Sequence, residues 1–270
     1  MDKAFKVIDW KFDNDIEIYP IGDLHLGSIA HNEKEWVKFW QYIKSRPNAY
    51  LMLVGDLMNN DTRNSVGDIF HDDILSPSEQ RKLLANYLAP IRDRILCCVS
   101  GNHESRKDNK MADCSPMELV CERLDLEHIY RDNLAIVSIR LGKEDYKNEA
   151  NRTVSHYKQQ FVFVVTHGSG GGSLTGSGVN KAEKFSMAFD GVDCYIQGHT
   201  HKPFITRPSK VVINRRGLTT TIKPVTVITC CSWLDYSGYA IKGQYLPAET
   251  CHPQKIVARA DKGANLEILW

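Results

Sequence analysis

The sequence predicts an α/β fold built on two β-sheets. Apolar runs of strand length alternate with amphipathic helical segments through the first half of the chain. Strand-like runs dominate the second half. A 42% apolar share over 270 residues is enough for a sizeable core. Residues 16–21, 50–54 and 95–99 are the short apolar runs, from Ile16, Tyr50 and Ile95 onward. Between the first two, residues 33–44 place Trp36, Phe39, Trp40 and Ile43 at helical spacing. Residues 78–88 do the same with Leu83, Leu84, Tyr87 and Leu88, and Pro90 closes the segment. Strand, helix, strand implies parallel strands joined by crossover helices. Farther on, residues 134–141, 160–166, 195–197, 211–214, 219–229 and 265–269 read as strands, with a helix around 181–189. That change of character favours two sheets over a single doubly wound one. No repeat, heptad pattern or long linker divides the chain. Residues 1–270 are therefore expected to form one domain, with a motif-bearing core over about 16–235 and C-terminal strands completing a sheet.

Charge excludes one easy inference. Thirty-four Lys and Arg against 33 Asp and Glu leave a net charge of +1, so no global field selects a polyanion and phosphate chemistry must be arranged locally. No apolar stretch approaches the roughly 20 residues of a membrane span, and the first six residues lack the apolar run of a secretion signal. Eight cysteines are too sparse for a disulfide scaffold, and none is spaced CxxC. The expectation is reduced thiols in a cytoplasm.

Five short segments share one design, in which an apolar strand stops and hard or imidazole ligands follow at once. They are Gly22-Asp23-Leu24-His25, Gly55-Asp56, Gly101-Asn102-His103-Glu104, Thr166-His167 and Gly198-His199-Thr200-His201. In open α/β proteins ligands gather beyond the carboxyl ends of strands. Glycine before Asp23, Asp56, Asn102 and His199 permits the sharp turn and close backbone approach that tight coordination needs. The set holds two Asp, one Asn and five of the chain's ten His. Oxygen and imidazole donors without thiolate suit Mn, Fe or Zn, and a shared carboxylate suits a pair of ions. Each segment alone has an ordinary reading as a turn, a helix cap or a core histidine. Five together, each at a strand end, do not.

In this order the segments resemble the calcineurin-like metallophosphoesterase superfamily, on the repair-exonuclease and phosphodiesterase side, over about two-thirds of the chain. The resemblance implies a two-sheet β-sandwich flanked by helices, an αββα arrangement, around a centre of two divalent metal ions. Mn2+ is the first expectation, with Fe, Zn, Ni or Mg as alternatives. It further implies that Asp23, His25 and His201 hold one ion, that Asn102, His167 and His199 hold the other, and that Asp56 bridges them. His103 is implied to face the substrate. Two cations about 3.5–4 Å apart hold a bridging hydroxide and clamp phosphoryl oxygens during in-line attack. His103 then assists the leaving oxygen, an effect of about 10²–10⁴-fold. No Ser-His-Asp or Cys-His signature competes with this chemistry.

The resemblance implies a phosphate ester as substrate. Phosphoprotein phosphatases of this superfamily carry an arginine before Gly-Asn-His-Glu and an acid after Gly-Asp-x-x, where this chain has Ser100 and Asn59. Both departures point to a phosphodiester of nucleic acid or nucleotide. A phosphomonoesterase and a non-catalytic metal-binding scaffold are the alternatives. Around the motifs, Glu104 is expected to orient a ligand or cap its loop, and Arg106 and Lys181 are candidate phosphate contacts. The glycine-rich run 168–178 is a candidate substrate-covering loop. Lys202, Arg207, Lys210, Arg215 and Arg216 form either a basic rim beside the metals or a solvated strand face.

Overall fold

The computed structural model describes residues 3–62, 65, 72–106, 109, 113–170, 172 and 174–270. Gly171 and Ser173 of the glycine-rich run, and the first two residues of the N-terminal stretch, lie outside the described residues. In chain order the elements begin with β1 (Ile8–Phe12), β2 (Ile16–Ile21), α1 (Glu33–Ser45), β3 (Ala49–Leu53), α2 (Pro77–Leu88) and β4 (Ile95–Val99). Then come α3 (Pro116–Arg123), β5 (Tyr130–Arg131), β6 (Leu134–Lys147), β7 (Thr153–Thr166), α4 (Thr175–Ser186) and β8 (Cys194–Gln197). The last are β9 (Phe204–Thr206), β10 (Ser209–Asn214), β11 (Thr219–Pro224), β12 (Thr226–Thr229), α5 (Gly238–Lys242), β13 (Lys255–Ala258) and β14 (Glu267–Leu269).

Two six-stranded sheets organise these elements. One runs β14-β13-β2-β3-β4-β5 and the other β1-β6-β7-β8-β12-β9. In the first, β2, β3, β4 and β5 are mutually parallel, so their carboxyl ends emerge along one edge. In the second, β7, β8 and β12 are parallel and do the same. Side chains alternate between the two faces of a strand, and the second sheet obeys this closely. Phe163, Val165, Cys194, Ile196 and Ile228 enter the core shared with the first sheet. Their neighbours Val164, Tyr195 and Val227 turn outward to pack with Ala182 of α4. The first sheet buries both faces, and Trp36 of α1 and Leu84 of α2 join its core. The architecture is the two-sheet α/β fold flanked by helices that the sequence predicts.

Local signals explain the helices over the first sheet. The Asn32 side chain accepts the Glu35 N–H at the start of α1, where Glu33 and Glu35 complement the helix dipole and Lys44 does so at the far end. Ser76 and Glu79 close a capping box on α2, with Pro77 in the first turn. α4 begins six residues before the sequence expectation. Gly176 and Gly178 depress helix propensity there, but a Cβ on Gly178 would stand 3.2 Å from Thr200, so close packing is what this glycine serves. The expected strand 219–229 is split at Pro224. β11 pairs with β10 in a separate hairpin, and β12 returns to the second sheet. β6 and β7 are each 14 residues long, because their exposed polar outer halves keep pairing beyond the apolar part.

Candidate metal centre

Every chemistry-bearing segment follows a strand whose carboxyl end faces the same edge of the sandwich. β2 leads into Asp23 and His25, β3 into Asp56 and β4 into Asn102, while β7 leads into His167 and β8 into His199 and His201. The loops are stitched to one another. Asp23 N–H donates to the Gly55 carbonyl (3.0 Å), and His25 N–H to that of Asp56 (3.0 Å). Across the two sheets, the Asp23 carboxylate accepts the His199 N–H (2.9 and 3.1 Å). The Asp56 carboxylate accepts the His103 N–H at 2.8 Å.

The loops are tight enough to force unusual backbone. Asp23 (φ 50°), His25 (48°), Asp56 (50°), His199 (72°) and His201 (55°) all occupy the left-handed region. That conformation costs of order 1–3 kcal/mol per residue and persists only where the surroundings hold it. Gly55 shares it at φ 86°. Gly101 serves a different need, because a Cβ there would lie 2.1 Å from Asp56 Oδ1. The loop after β4 therefore packs directly on the Asp56 carboxylate.

The donor atoms converge. His201 Nε2 lies 3.2 Å from Asp23 Oδ1 and 3.2 Å from His25 Nε2. His167 Nε2 lies 3.0 Å from Asp56 Oδ2 and 3.0 Å from Asn102 Oδ1. His199 Nδ1 lies 2.7 Å from the same Asn102 oxygen. Asp23, His25 and His201 form one set with ligand atoms within 4.8 Å of one another, Asp56, His167 and His199 a second, and His25, Asp56 and His103 a third that joins them. Asp56 thus reaches both histidine sets. This donor chemistry fits divalent metal binding.

The carboxylates and imidazoles of the site shift one another's ionisation. Burial opposes ionisation of Asp56, but the imidazoles of His167 and His103 outweigh it and hold the carboxyl well below its ordinary range. Asp23 behaves likewise, with His201 as its main partner. In return, although burial opposes it, Asp56 and Asp23 raise His167 to about 10. His25 moves the other way, lowered by burial and by His103. Here protons supply the positive charge that two buried carboxylates demand.

A ring of supporting groups aims the donors. The Asn59 amide donates to Asp61 Oδ2 (3.0 Å) and Asp73 Oδ1 (2.6 Å), so its oxygen faces His25 and accepts the Nδ1–H at 3.0 Å. His25 is left with Nε2 toward the centre. His167 donates Nδ1–H to the Val54 carbonyl (2.9 Å) with the same effect. The Glu104 carboxylate accepts the backbone N–H of Asp56 (3.0 Å), Met58 (3.0 Å) and Gly101 (2.8 Å), clamping the loops after β3 and β4 together. Burial and the neighbouring Asp56 push Glu104 up to about 7 despite those donors. His103 Nδ1 lies 2.7 Å from the Asn59 carbonyl and 2.5 Å from the Arg106 guanidinium, and its ring stands edge-on to His25 at 4.5 Å. Burial lowers its pKa, Asp56 opposes that, and Arg106 adds to it. Arg106 lines the cavity and is paired with Asp61 at 2.5 Å rather than freely solvated. Sequence reasoning missed Asp61, Asp73 and Gln80. Asp61 closes the run Asn59-Asn60-Asp61 behind a predicted ligand, a usable signal, whereas Asp73 and Gln80 are brought in only by the fold.

A cavity of about 660 Å³ opens over the centre, lined by His25, Asp56, Asn102, His103, His199 and His201 among others. Gly170 and Gly172 of the glycine-rich run also line it, while Lys181 does not; the Lys181 chain lies over Gly170. Of the five basic residues between 202 and 216, only Lys202 lines this cavity. Lys210 instead donates to the Met187 and Phe189 carbonyls, and Arg215 and Arg216 sit at the exposed turn between β10 and β11.

A family model of calcineurin-like phosphoesterases matches residues 16–203. No curated protein matches the chain. Among solved structures, a conserved uncharacterized protein from Streptococcus pneumoniae TIGR4, described as a predicted phosphoesterase, aligns with 11% identity and a TM-score of 0.34. The alignment covers 94% of this chain and 97% of that one. A metallophosphoesterase from Sphaerobacter thermophilus aligns with 14% identity and a TM-score of 0.38, over 90% of this chain and 84% of that one. The described residues contain no helix long and apolar enough to cross a membrane.

Proposed function

The chain belongs to the calcineurin-like phosphoesterase family, and we propose that it is a dinuclear enzyme hydrolysing a phosphodiester of nucleic acid or nucleotide. The observation that carries this reading is the position of Asp56, whose carboxylate lies within 4.8 Å of donor atoms of His167 and His199 on one side and of His25 and His103 on the other. In it, Asp23, His25 and His201 hold one divalent ion, Asn102, His167 and His199 hold the other, and Asp56 is shared. Mn2+ is the first candidate on donor type. Bound there, the ions acidify water and neutralise phosphoryl oxygens. Asn59 and the Val54 carbonyl keep the imidazoles aimed, and Glu104 fixes the spacing of the loops that carry Asp56 and Asn102.

His103 faces the cavity between the centre and Arg106. With Nδ1 occupied by Asn59 and Arg106, Nε2 is the nitrogen left to meet a leaving oxygen, to which it donates when protonated. The reading takes residues 1–270 as one domain, supported by a core to which both sheets contribute. The reading keeps a reducing cytoplasm, in which the eight cysteines, buried or half-buried, serve as thiols.

The test is hydrolysis of bis(p-nitrophenyl) phosphate by the Mn2+-loaded protein, beside the corresponding monoester. The reading expects the diester to be preferred and Asp56→Asn to lose more than about 10²-fold. Preference for the monoester reassigns the chain as a phosphomonoesterase. Bound metal without turnover of either ester makes it a scaffold.

A further inference from the structure

The two-stranded sheet of β10 and β11 stands apart from both six-stranded sheets. Its register sorts the side chains onto two faces. Lys210, Val212 and Asn214 share one face with Lys223, Thr221 and Thr219. Ser209, Val211 and Ile213 share the other with Pro224, Ile222 and Thr220. The first face is turned to the body of the molecule, because Lys210 and Val212 are half-buried and Lys210 donates to the Met187 and Phe189 carbonyls beyond the end of α4. The second is turned to solvent, with Val211 68%, Ile213 69% and Ile222 74% exposed.

The hairpin itself does not account for these aliphatic side chains. Branching at Cβ favours a strand, but threonine supplies it together with a hydroxyl, and β11 uses Thr219, Thr220 and Thr221 at exposed positions. The tip repeats the pattern. The Asn214 side chain accepts the Arg216 and Gly217 N–H groups at 3.1 Å each and fixes the turn. Leu218 follows with φ 50° and 89% exposure. A left-handed backbone favours glycine or asparagine, and a side chain so exposed adds nothing to the core. Neither conformation nor packing explains a leucine there. Solvent-facing apolar groups gathered in one place mark a surface that something else covers.

Charge decides what covers it. Residues 194–234 contain no Asp or Glu, and within 207–224 stand Arg207, Lys210, Arg215, Arg216 and Lys223. Arg215 and Arg216 precede the exposed tip, and Arg207 and Lys223 lie exposed near the base, where Asp193 offsets part of the charge at Lys223. A second copy stacked on the aliphatic face would bring two such cationic sets together. Nucleic acid would meet the cations and leave the aliphatic face in water. A protein partner needs more room. Two strands of six residues at about 3.4 Å each give a face of roughly 200 Å², against about 800 Å² per partner in a stable complex. An anionic lipid surface matches both properties, since it admits apolar side chains to its acyl boundary and holds Arg and Lys at its headgroups.

We propose that the β10–β11 hairpin docks the chain on an anionic bilayer, with Val211, Ile213, Ile222 and Leu218 entering the interface and Arg215 and Arg216 meeting lipid phosphates. The chain lies on the membrane in this arrangement and does not cross it. Nothing in this docking depends on the phosphoesterase reading.

The test is flotation of the full chain with vesicles of phosphatidylcholine, alone or with about one-third phosphatidylglycerol. The chain should float with the anionic vesicles and not with the neutral ones, and salt at about 0.5 M should weaken the association. The combined variant Val211→Thr, Ile213→Thr, Ile222→Thr keeps the branching that strands favour and should bind at least about tenfold more weakly. Leu218→Gly relieves the left-handed backbone, so its melting temperature should hold or rise while vesicle binding falls, and it serves if the threonine variant fails to fold. These variants all keep the metal centre, so their loss of binding reads the hairpin and not lipid phosphate at that centre. Absence of flotation with anionic vesicles, or flotation unchanged in the threonine and glycine variants, overturns the proposal. In that event, DNA binding lost on Arg215→Gln with Arg216→Gln assigns the hairpin to nucleic acid, and a dimer lost in the threonine variant assigns it to a second copy.

Discussion

His103 and His167 are both imidazoles beside Asp56, yet their surroundings shift them in opposite directions. His167 donates one nitrogen to a carbonyl and meets Asp56 at 3.0 Å with the other, which raises it to about 10. His103 stands 3.9 Å from the same carboxylate with Arg106 against it, and burial lowers it. An imidazole that binds a metal must be neutral, so at pH 8 the protonated His167 has to release its proton as a cation enters. Manganese binding followed by calorimetry should therefore show proton release, with an enthalpy that depends on the buffer. Because its raised pKa keeps His167 protonated below about 10, affinity should rise with pH toward that value. Binding enthalpy independent of the buffer contradicts this. For His103 the discriminating variable is the leaving group. His103→Ala should cost about 10²–10⁴-fold on an alkyl ester, and much less on a p-nitrophenyl ester whose leaving group needs no proton. An equal loss on both esters assigns His103 to positioning instead.

At the scale of elements, the site is a consequence of parallel strands. Because β2, β3 and β4 run the same way, as do β7 and β8, each strand delivers its terminal donor side chains to one edge. That made Asp23, His25, Asp56, Asn102, His167, His199 and His201 legible in the sequence, since each follows an apolar run that ends abruptly. The supporting groups were less legible. Asp73 and Gln80 reach Asn59 and Asn60 from a later loop and from α2, a relation that no local spacing encodes. The start of α4 was hidden by its glycines, and the division of residues 219–229 by the fact that strand pattern does not reveal which sheet a strand joins. The role of Gly101 was half visible. A close approach was expected, but its object, the Asp56 carboxylate, appears only in three dimensions. Gly101→Ala should displace Asp56 and lower bound manganese to below one ion per chain, measured by elemental analysis after gel filtration. Undiminished manganese would show that the loop relaxes around the methyl group.

For the molecule as a whole, the centre sits where the two sheets meet. One sheet supplies Asp23, His25, Asp56 and Asn102, and the other His167, His199 and His201, so a cation held among them ties the halves of the sandwich together. Cations bound only by the folded state stabilise it by mass action, about 2.7 kcal/mol per site at a hundredfold excess over Kd. Manganese should raise the melting temperature by several degrees and excess chelator should reverse the shift. A melting temperature indifferent to both places the cations elsewhere or nowhere. The most direct measurement of the central claim is anomalous diffraction above the manganese edge from crystals grown with Mn2+. Two peaks flanking the Asp56 carboxylate are predicted, one among Asp23, His25 and His201 and one among Asn102, His167 and His199. No peak at this carboxylate, or manganese bound only at sites remote from it, contradicts the account.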